Sequence, residues 1–417
     1  MERYSSYKDS GVSWIGEIPE HWSLRRIKYI FSELKEKSEN GLELPLSLSK
    51  DGGIIPFNEK KNKTMESASY VGGKIVHKGE IVFNRFKARL FAVSGYDGIV
   101  SSDYAVYKCN RSASPEYLIK LFGIDMYRDA FNRKASGIGD GFSRLYTDDL
   151  FAMFSIFPPL AEQEKIVSYL ENKTSKIDAY VADKEKEIEL LQELKQKTIA
   201  DAVTKGLNPD AKMKDSGISW IGEIPEHWEV KKIDSLFVER REKVSDKDYP
   251  ALSVSKQGIT PQLDTAVKTD NGDNRKKVCK NDFVVNSRSD RKGSCGVSPY
   301  TGSVSLINIV LSPRKNIEVQ YFHHLFRSNN YIEEYYRIGR GIVADLWTTR
   351  YSEMRNIFVP LPPKDEQQSI VSYIEEKCQK IDKLASELQL EIEYLKEYKQ
   401  RLIADCVTGQ VNVQNEI

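Results

Sequence analysis

The chain has 417 residues, a formal net charge of +1, 40% hydrophobic and 29% charged residues, enough for two or three globular domains and too apolar for disorder. It has no run of 18 or more apolar residues and no basic-then-apolar leader in MERYSSYKDS, so neither a membrane span nor a secretory signal is expected and the chain reads as cytoplasmic. Cys109, Cys279, Cys295, Cys378 and Cys406 form no CxxC pair and do not cluster with the five histidines, which argues against a disulfide framework and a closed zinc site.

In chain order, the first feature is KDSGVSWIGEIPEHW at 8–22, because it returns as KDSGISWIGEIPEHW at 214–228, identical at 14 of 15 positions. Residues 1–22 are therefore set apart as a repeated segment. Residues 23–160 follow as a first globular domain: β-rich runs such as KIVHKGEIVFNRF and GIVSSDYAVYK alternate with Gly/Asn/Asp turns, and SPEYLIKLFGIDMYRDAFNRK reads as helix.

Pro158-Pro159 then stops the domain, and acidic Glu162 and Glu164 suit a helix start. Residues 161–205 are predicted as one long helix. Ile177, Val181, Lys184, Ile188, Leu191, Lys195, Thr198 and Ala202 step alternately by four and three, a heptad seam. Residues 206–228 carry the second copy of the repeated segment. A second globular domain spans 229–363, with NDFVVN, GSVSLINIVL and NIEVQYFHHLFRSNNYIEEYYR.

The second long helix is predicted over 364–408, with Ile381, Ala385, Leu388, Ile392, Leu395, Lys399, Leu402 and Cys406 on its seam, and 409–417 form a tail. Each helix would be roughly 65 Å long at about 1.5 Å per residue.

The anchors Pro158-Pro159, Glu162-Gln163 and Ile166-Val167-Ser168-Tyr169 also recur, as Pro362-Pro363, Glu366-Gln367 and Ile370-Val371-Ser372-Tyr373, while the domain middles diverge. The fold class expected is α+β: two globular domains joined by two long antiparallel, coiled-coil-like helices in a pseudo-twofold duplication. Such a twofold places the chain's first segment beside the end of the second helix. Two unrelated helices, each lying on its own domain, are the simpler alternative.

Charge is unevenly divided. Residues 23–157 hold 21 Lys/Arg against 16 Asp/Glu and 229–361 hold 22 against 16, whereas 161–205 hold 8 against 10 and 364–408 hold 7 against 10. Basic excess confined to the divergent domains points to phosphate contact there. The DNA-contact candidates are Lys50 and Lys256 at matched positions, Arg85, Lys87 and Arg89 after one predicted strand, and Arg288, Arg291 and Lys292 after its counterpart. Arg144, Arg340 and Arg350 join them from the Gly-rich segments SGIGDGFSRLY and GRGIVADLWTTR. For any one of these, an ordinary solvated charge is the alternative.

Catalytic motifs are missing. The chain has no GxxxxGK[ST] phosphate loop and no [ND]PP[YF], and Pro209-Asp210-Ala211-Lys212 lacks the second element of a PD…(D/E)xK nuclease. His21 and His227 recur inside EHW, but their Trp and Pro neighbours recur too, which favours packing or docking over catalysis.

The repeated SGVSWIGEIPEHW, the GEIVFNR and GIVSSDYAVY strands, and above all PPLAEQEKIVSYL and PPKDEQQSIVSYI leading into helices resemble the specificity subunit of type I restriction-modification systems, twice and in order. The resemblance implies two target-recognition domains, each reading one half of a bipartite DNA site, with the helices as spacer. It implies two modification (methyltransferase) subunits as partners, and restriction subunits that translocate and cleave DNA. S-adenosylmethionine, ATP and Mg would then act on those partners, and this chain would have no catalysis or cofactor of its own. Trp14, Trp22, Glu162, Gln163, Trp220, Trp228, Glu366 and Gln367 are the docking candidates, with core packing the alternative for the tryptophans. A degenerate or fused DNA methyltransferase or nuclease subunit, and an assembly scaffold that no longer reads DNA, are the competing readings.

Overall fold

The computed structural model describes residues 2–49, 53–60, 69–86, 90–139, 142–262, 272–314, 317–341 and 347–414. Two compact units emerge: Met1–Lys184 with Leu390–Ile417, and Glu185–Gln389. Their limits fall inside the long helices, so each unit owns one globular domain and a stretch of both helices.

In the first unit, β1 (Ser23–Arg26) pairs antiparallel with β6 (Phe154–Phe157). A four-stranded antiparallel sheet is built from β2 (Phe31–Leu34), β3 (Ile81–Asn84), β4 (Phe91–Val93) and β5 (Tyr104–Cys109), in the order β2-β5-β3-β4. Alternation along β3 and β5 sends Ile81, Phe83, Ala105 and Tyr107 into one buried cluster and Val82 and Val106 into another, the period-2 behaviour of a sheet covered on both faces. Helices α1 (Pro115–Phe122) and α2 (Asp125–Lys134) cover the first face with Tyr117, Phe122, Tyr127 and Phe131.

The long helix α3 (Leu160–Lys205) follows at once. In the second unit β7 (Glu229–Lys232) pairs with β12 (Phe358–Leu361). The sheet of β8 (Phe237–Glu239), β9 (Phe283–Asn286), β10 (Cys295–Val297) and β11 (Asn308–Pro313) has the same order, β8-β11-β9-β10. Helices α4 (Val319–Phe326) and α5 (Asn329–Arg337) cover it, and α6 (Lys364–Val407) completes the repeat. The predicted duplication and α+β class hold, and both predicted long helices are continuous.

All sixteen predicted seam residues of α3 and α6 are buried or half-buried. The helices run antiparallel within each unit: Lys399 Nζ meets Asp178 at 2.6 Å in the first, and Lys195 Nζ meets Asp382 at 2.7 Å in the second. Both pairs join the same two repeat positions, exchanged between copies.

The repeated segment closes each unit. In the first it forms a hairpin, Tyr7–Asp9 with Glu17–Pro19, and in the second Met213–Asp215 pairs with Glu223–Pro225 in the same register. As expected from the order of the repeats, the start of the chain lies at the end of α6: Tyr7 Oη donates to the Gly409 carbonyl at 2.8 Å, and Asn412 N–H donates to the Glu2 carbonyl at 2.9 Å. Gly409 and Gly206 end the two helices with φ of +78° and +74°, the left-handed cap glycine adopts readily.

Candidate nucleic-acid interface

The recurrent V-x-N at the end of β3 and β9 has a local cause. Asn84 Oδ1 accepts from Phe86 N–H at 2.9 Å, and Asn286 Oδ1 accepts from Arg288 N–H at 3.2 Å. Each is a side-chain-closed turn that launches the divergent loop from the same corner of the same sheet. A second loop is tied alongside: Leu145 N–H donates to the Arg85 carbonyl at 2.9 Å, and Thr349 N–H donates to the Ser287 carbonyl at 3.0 Å. The Gly-rich segments singled out in the sequence thus lie against the basic post-strand loops in both units.

Within this frame the predicted cations divide. Arg85 turns inward: its side chain is 12% exposed, Nη2 donates to Glu33 Oε1 at 2.6 Å and to Thr147 Oγ1 at 3.1 Å. Lys74 reaches the same Glu33 oxygen at 3.2 Å, and burial followed by the neighbouring Arg85 charge lowers its pKa. The second unit keeps the inner pair as Lys276 and Glu239 at 3.4 Å. Arg85 is therefore a structural ion-pair partner and not the free loop cation expected of it, because Glu33 on β2 neutralises it.

Arg144 lies over Phe86 and Tyr146, 5.2 and 5.5 Å from the ring centroids, and 3.8 Å from Asp103. Arg288, Arg291 and Lys292 are substantially exposed on one turn, with Lys292 ion-paired to Glu333 at 2.5 Å. Arg340 and Arg350 are exposed beside them, since Arg340 and Thr348 exchange backbone hydrogen bonds at 3.2 and 3.1 Å. Lys256 is exposed at the turn between strands Leu252–Ser255 and Gly258–Pro261, where Arg327 donates to its carbonyl at 2.6 Å. Lys50, Lys87 and Arg89 lie outside the described residues.

The docking expectations need correction. Trp22, Trp228 and Gln163 are fully buried, and Gln367 nearly so, so none of the four presents a surface. Gln163 accepts from Ser114 N–H and donates to the Pro158 carbonyl, both at 2.8 Å; Gln367 accepts from Glu318 N–H and donates to the Pro362 carbonyl, also at 2.8 Å. That is why Pro-Pro and Glu-Gln recur together: the glutamine locks the start of each long helix to the N-cap of α1 or α4.

Glu162 is likewise engaged internally, accepting from Trp22 Nε1 at 2.8 Å and Tyr4 Oη at 3.1 Å and contacting His21 at 2.6 Å. Glu366 meets His227 at 2.8 Å. Trp14 and Trp220 remain half-buried, edge-on to Tyr127 and Tyr331 at 5.0 and 5.6 Å.

The sequence reading missed the exposed apolar side chains outside the seam. On the long helices these include Tyr180, Tyr394 and Tyr398 in the first unit and, in the second, their repeat equivalents Leu384, Leu190 and Leu194, all more than 40% exposed. Among the described residues no three His, Cys, Asp or Glu side chains gather as a metal site, and no helix is long and apolar enough to cross a membrane.

Comparison with known proteins agrees with this architecture. Residues 225–394 match the type I restriction modification DNA specificity domain. The chain is 25% identical over 96% of both lengths to the type I restriction enzyme MjaX specificity subunit of Methanocaldococcus jannaschii. It is 24% identical to the type I restriction enzyme EcoBI specificity subunit of Escherichia coli, over 65% of this chain and 60% of that one.

Among solved structures, a chain from a study of type I R-M system assembly and conformational transition superposes with a TM-score of 0.68 at 17% identity. It spans 94% of this chain and 99% of that one. The HsdS subunit from Thermoanaerobacter tengcongensis gives 0.53 at 16% identity, over 94% and 98%. With the specificity domain matched in the second repeat, one relative aligned along the whole length and the same fold in solved structures, the chain is similar to type I restriction-modification specificity subunits.

Proposed function

We propose that the chain recognises a bipartite DNA sequence, each unit reading one half, and that the long helices fix the distance between the halves. The observation that carries this reading is the paired turn at Asn84 and Asn286. One scaffold presents Phe86 and Arg144 in the first unit and Arg288, Arg291 and Arg350 in the second. Constant backbone with changed polar and basic side chains suits two modules that read different bases.

The partners are two modification subunits, each meeting equivalent surfaces of the two repeats: Tyr180, Tyr394 and Tyr398 in one, and Leu384, Leu190 and Leu194 in the other. Half-buried Trp14 and Trp220 are secondary candidates for those contacts. Exposed Tyr and Leu on a helix face are the kind of apolar anchor a protein interface buries. Restriction subunits join that assembly. Methyl transfer, with S-adenosylmethionine, and ATP- and Mg-dependent cleavage belong to the partners, and this chain supplies selectivity without catalysis.

The test is reconstitution. With its modification subunits, the chain should direct adenine methylation to a split sequence within a randomised DNA library, with binding that weakens as salt rises. The chain alone, incubated with DNA and labelled methyl donor, should transfer nothing. Methylation by the reconstituted complex without sequence preference would reject the reading.

A further inference from the structure

In the second unit an open cavity of about 330 Å³ lies beside the Asn286 turn, with Arg288 and Arg291 at its rim and Asn286, Ser305 and Asn308 in its wall. Arg275 also lines it but is committed to the protein, donating from Nε to Ser303 Oγ at 2.9 Å and from Nη2 to the Ser303 carbonyl at 3.1 Å. The two rim arginines are different. Arg288, half-exposed, contacts Asp290 through Nε at 3.0 Å, and Arg291 contacts the same carboxylate through Nε at 3.7 Å.

The backbone beneath is fixed from several sides. Arg288 N–H donates to Asn286, Ser289 N–H donates to the Trp347 carbonyl at 2.9 Å, and Tyr336 Oη donates to the Arg288 carbonyl at 3.3 Å. In the cavity wall the buried Asn308 side-chain oxygen has no hydrogen-bond partner among the described residues, although its Nδ2 donates to the Ser305 carbonyl at 3.0 Å. A polar wall left short of a partner, beneath two cations, is a site shaped for a polar ligand.

We propose that this cavity receives a base edge of the half-site read by the second unit, with Arg288 as the guanine-reading side chain and Asp290 as its positioning residue. The inference rests on the DNA-reading function proposed above. A carboxylate on Nε sets the plane of the guanidinium and leaves the Nη1/Nη2 fork facing outward. That fork matches guanine O6 and N7. The fork fits phosphate too, but the polar lining beside it, Asn286, Ser305 and Asn308, offers hydrogen-bonding groups to a base edge that a phosphate contact would not use.

At the corresponding turn of the first unit stands Phe86, with Arg144 lying over it and over Tyr146. Among the described residues, no arginine stands at the position equivalent to Arg288 in the first unit.

The experiment uses the full complex with its modification subunits, scoring methylation over a library randomised in both halves. For Arg288→Ala and Arg288→Lys, discrimination for G·C should fall roughly tenfold to a hundredfold at one position of one half-site. The other half should be unchanged. Asp290→Asn should loosen the same position more mildly while leaving the preferred sequence methylated.

Equal loss on every sequence would mark Arg288 as a phosphate contact and overturn the inference, as would a preference unchanged at every position. Selectivity retained in the other half shows that the variant has folded. If the unmodified complex selects a sequence and Arg288→Ala does not alter it, only this inference fails. If the unmodified complex selects nothing, the proposed function fails with it.

Discussion

The Tyr321 hydroxyl donates to the Val203 carbonyl at 2.8 Å, and Tyr117 makes the same bond to Val407 at 2.8 Å. Each long helix ends on a buried phenol supplied by the opposite repeat. Burial holds both phenols well above their usual pKa, so they remain donors. Tyr321→Phe and Tyr117→Phe should each cost about 1–3 kcal/mol, the penalty for a buried carbonyl stripped of its partner. Urea melts of the purified chain measure it, and an unchanged midpoint would show that another donor fills the gap.

The helix-ending glycines should differ in their tolerance of alanine. Both share the left-handed backbone cost of about 1 kcal/mol. At Gly409, however, a Cβ would meet Pro19 at 2.6 Å and Trp22 at 2.9 Å, against 3.1 Å to Trp228 and Glu366 at Gly206. Gly409→Ala is expected to lower the denaturation midpoint more than Gly206→Ala; the reverse order would mean that the Pro19 and Trp22 rings give way freely.

The exchanged ion pairs Lys195–Asp382 and Lys399–Asp178 report helix register more than stability. Their aspartates are about 60% exposed, so each pair should contribute under about 1 kcal/mol. Reversing the charge of either partner should destabilise slightly, and the double reversal Lys195→Asp with Asp382→Lys should recover most of that loss in a double-mutant cycle. No recovery would place the two side chains out of contact in solution.

Stability should fall with acid earlier than carboxylate titration alone would dictate. Burial, reinforced by the Arg327 charge, lowers His323 to about 3 and His324 to about 4. Above about pH 6.5, the ordinary histidine value, both are neutral folded or unfolded and their contribution is complete. As pH falls below that, the unfolded chain binds protons that the folded chain refuses, so stability declines from about pH 6.5 down through pH 3–4. His324→Gln should flatten that slope in melts taken between pH 7 and 4; an identical slope would assign the acid loss elsewhere.

If the helices are a ruler, lengthening both should change distance and not sequence. Four residues inserted at equivalent points of α3 and α6 add about 6 Å. The accepted spacer between half-sites should grow by roughly two base pairs at ~3.4 Å each, with both half-sites unaltered. Methylation mapping decides this, and altered half-sites with an unchanged spacer would refute the ruler.

The large features were legible because they repeat in a simple period. The four-three steps from Ile177 to Ala202 and from Ile381 to Cys406 found the helix seam, and the identical EHW segments found the duplication. Side-chain direction was not legible. Recurrence of Trp22 and Gln163 is equally consistent with a shared partner and with shared internal packing, and burial reveals the second. Arg85 looked free because Glu33, which neutralises it, lies 52 residues away in sequence. Tyr394 and Tyr398 escaped notice because a search for the buried seam passes over the opposite face.

The bonds from Tyr7 to Gly409 and from Asn412 to Glu2 also set an order of assembly during synthesis. The second unit, Glu185–Gln389, is one unbroken stretch of polypeptide. It can close as soon as that stretch has left the ribosome. The first unit, although made earlier, waits for its last helical turns, because Leu402, Cys406, Val407 and Val413 are part of its core. Contacts between ends some 400 residues apart are slow to form. The amino-terminal half is thus the last to mature, and a chain released before residue 402 leaves that core open.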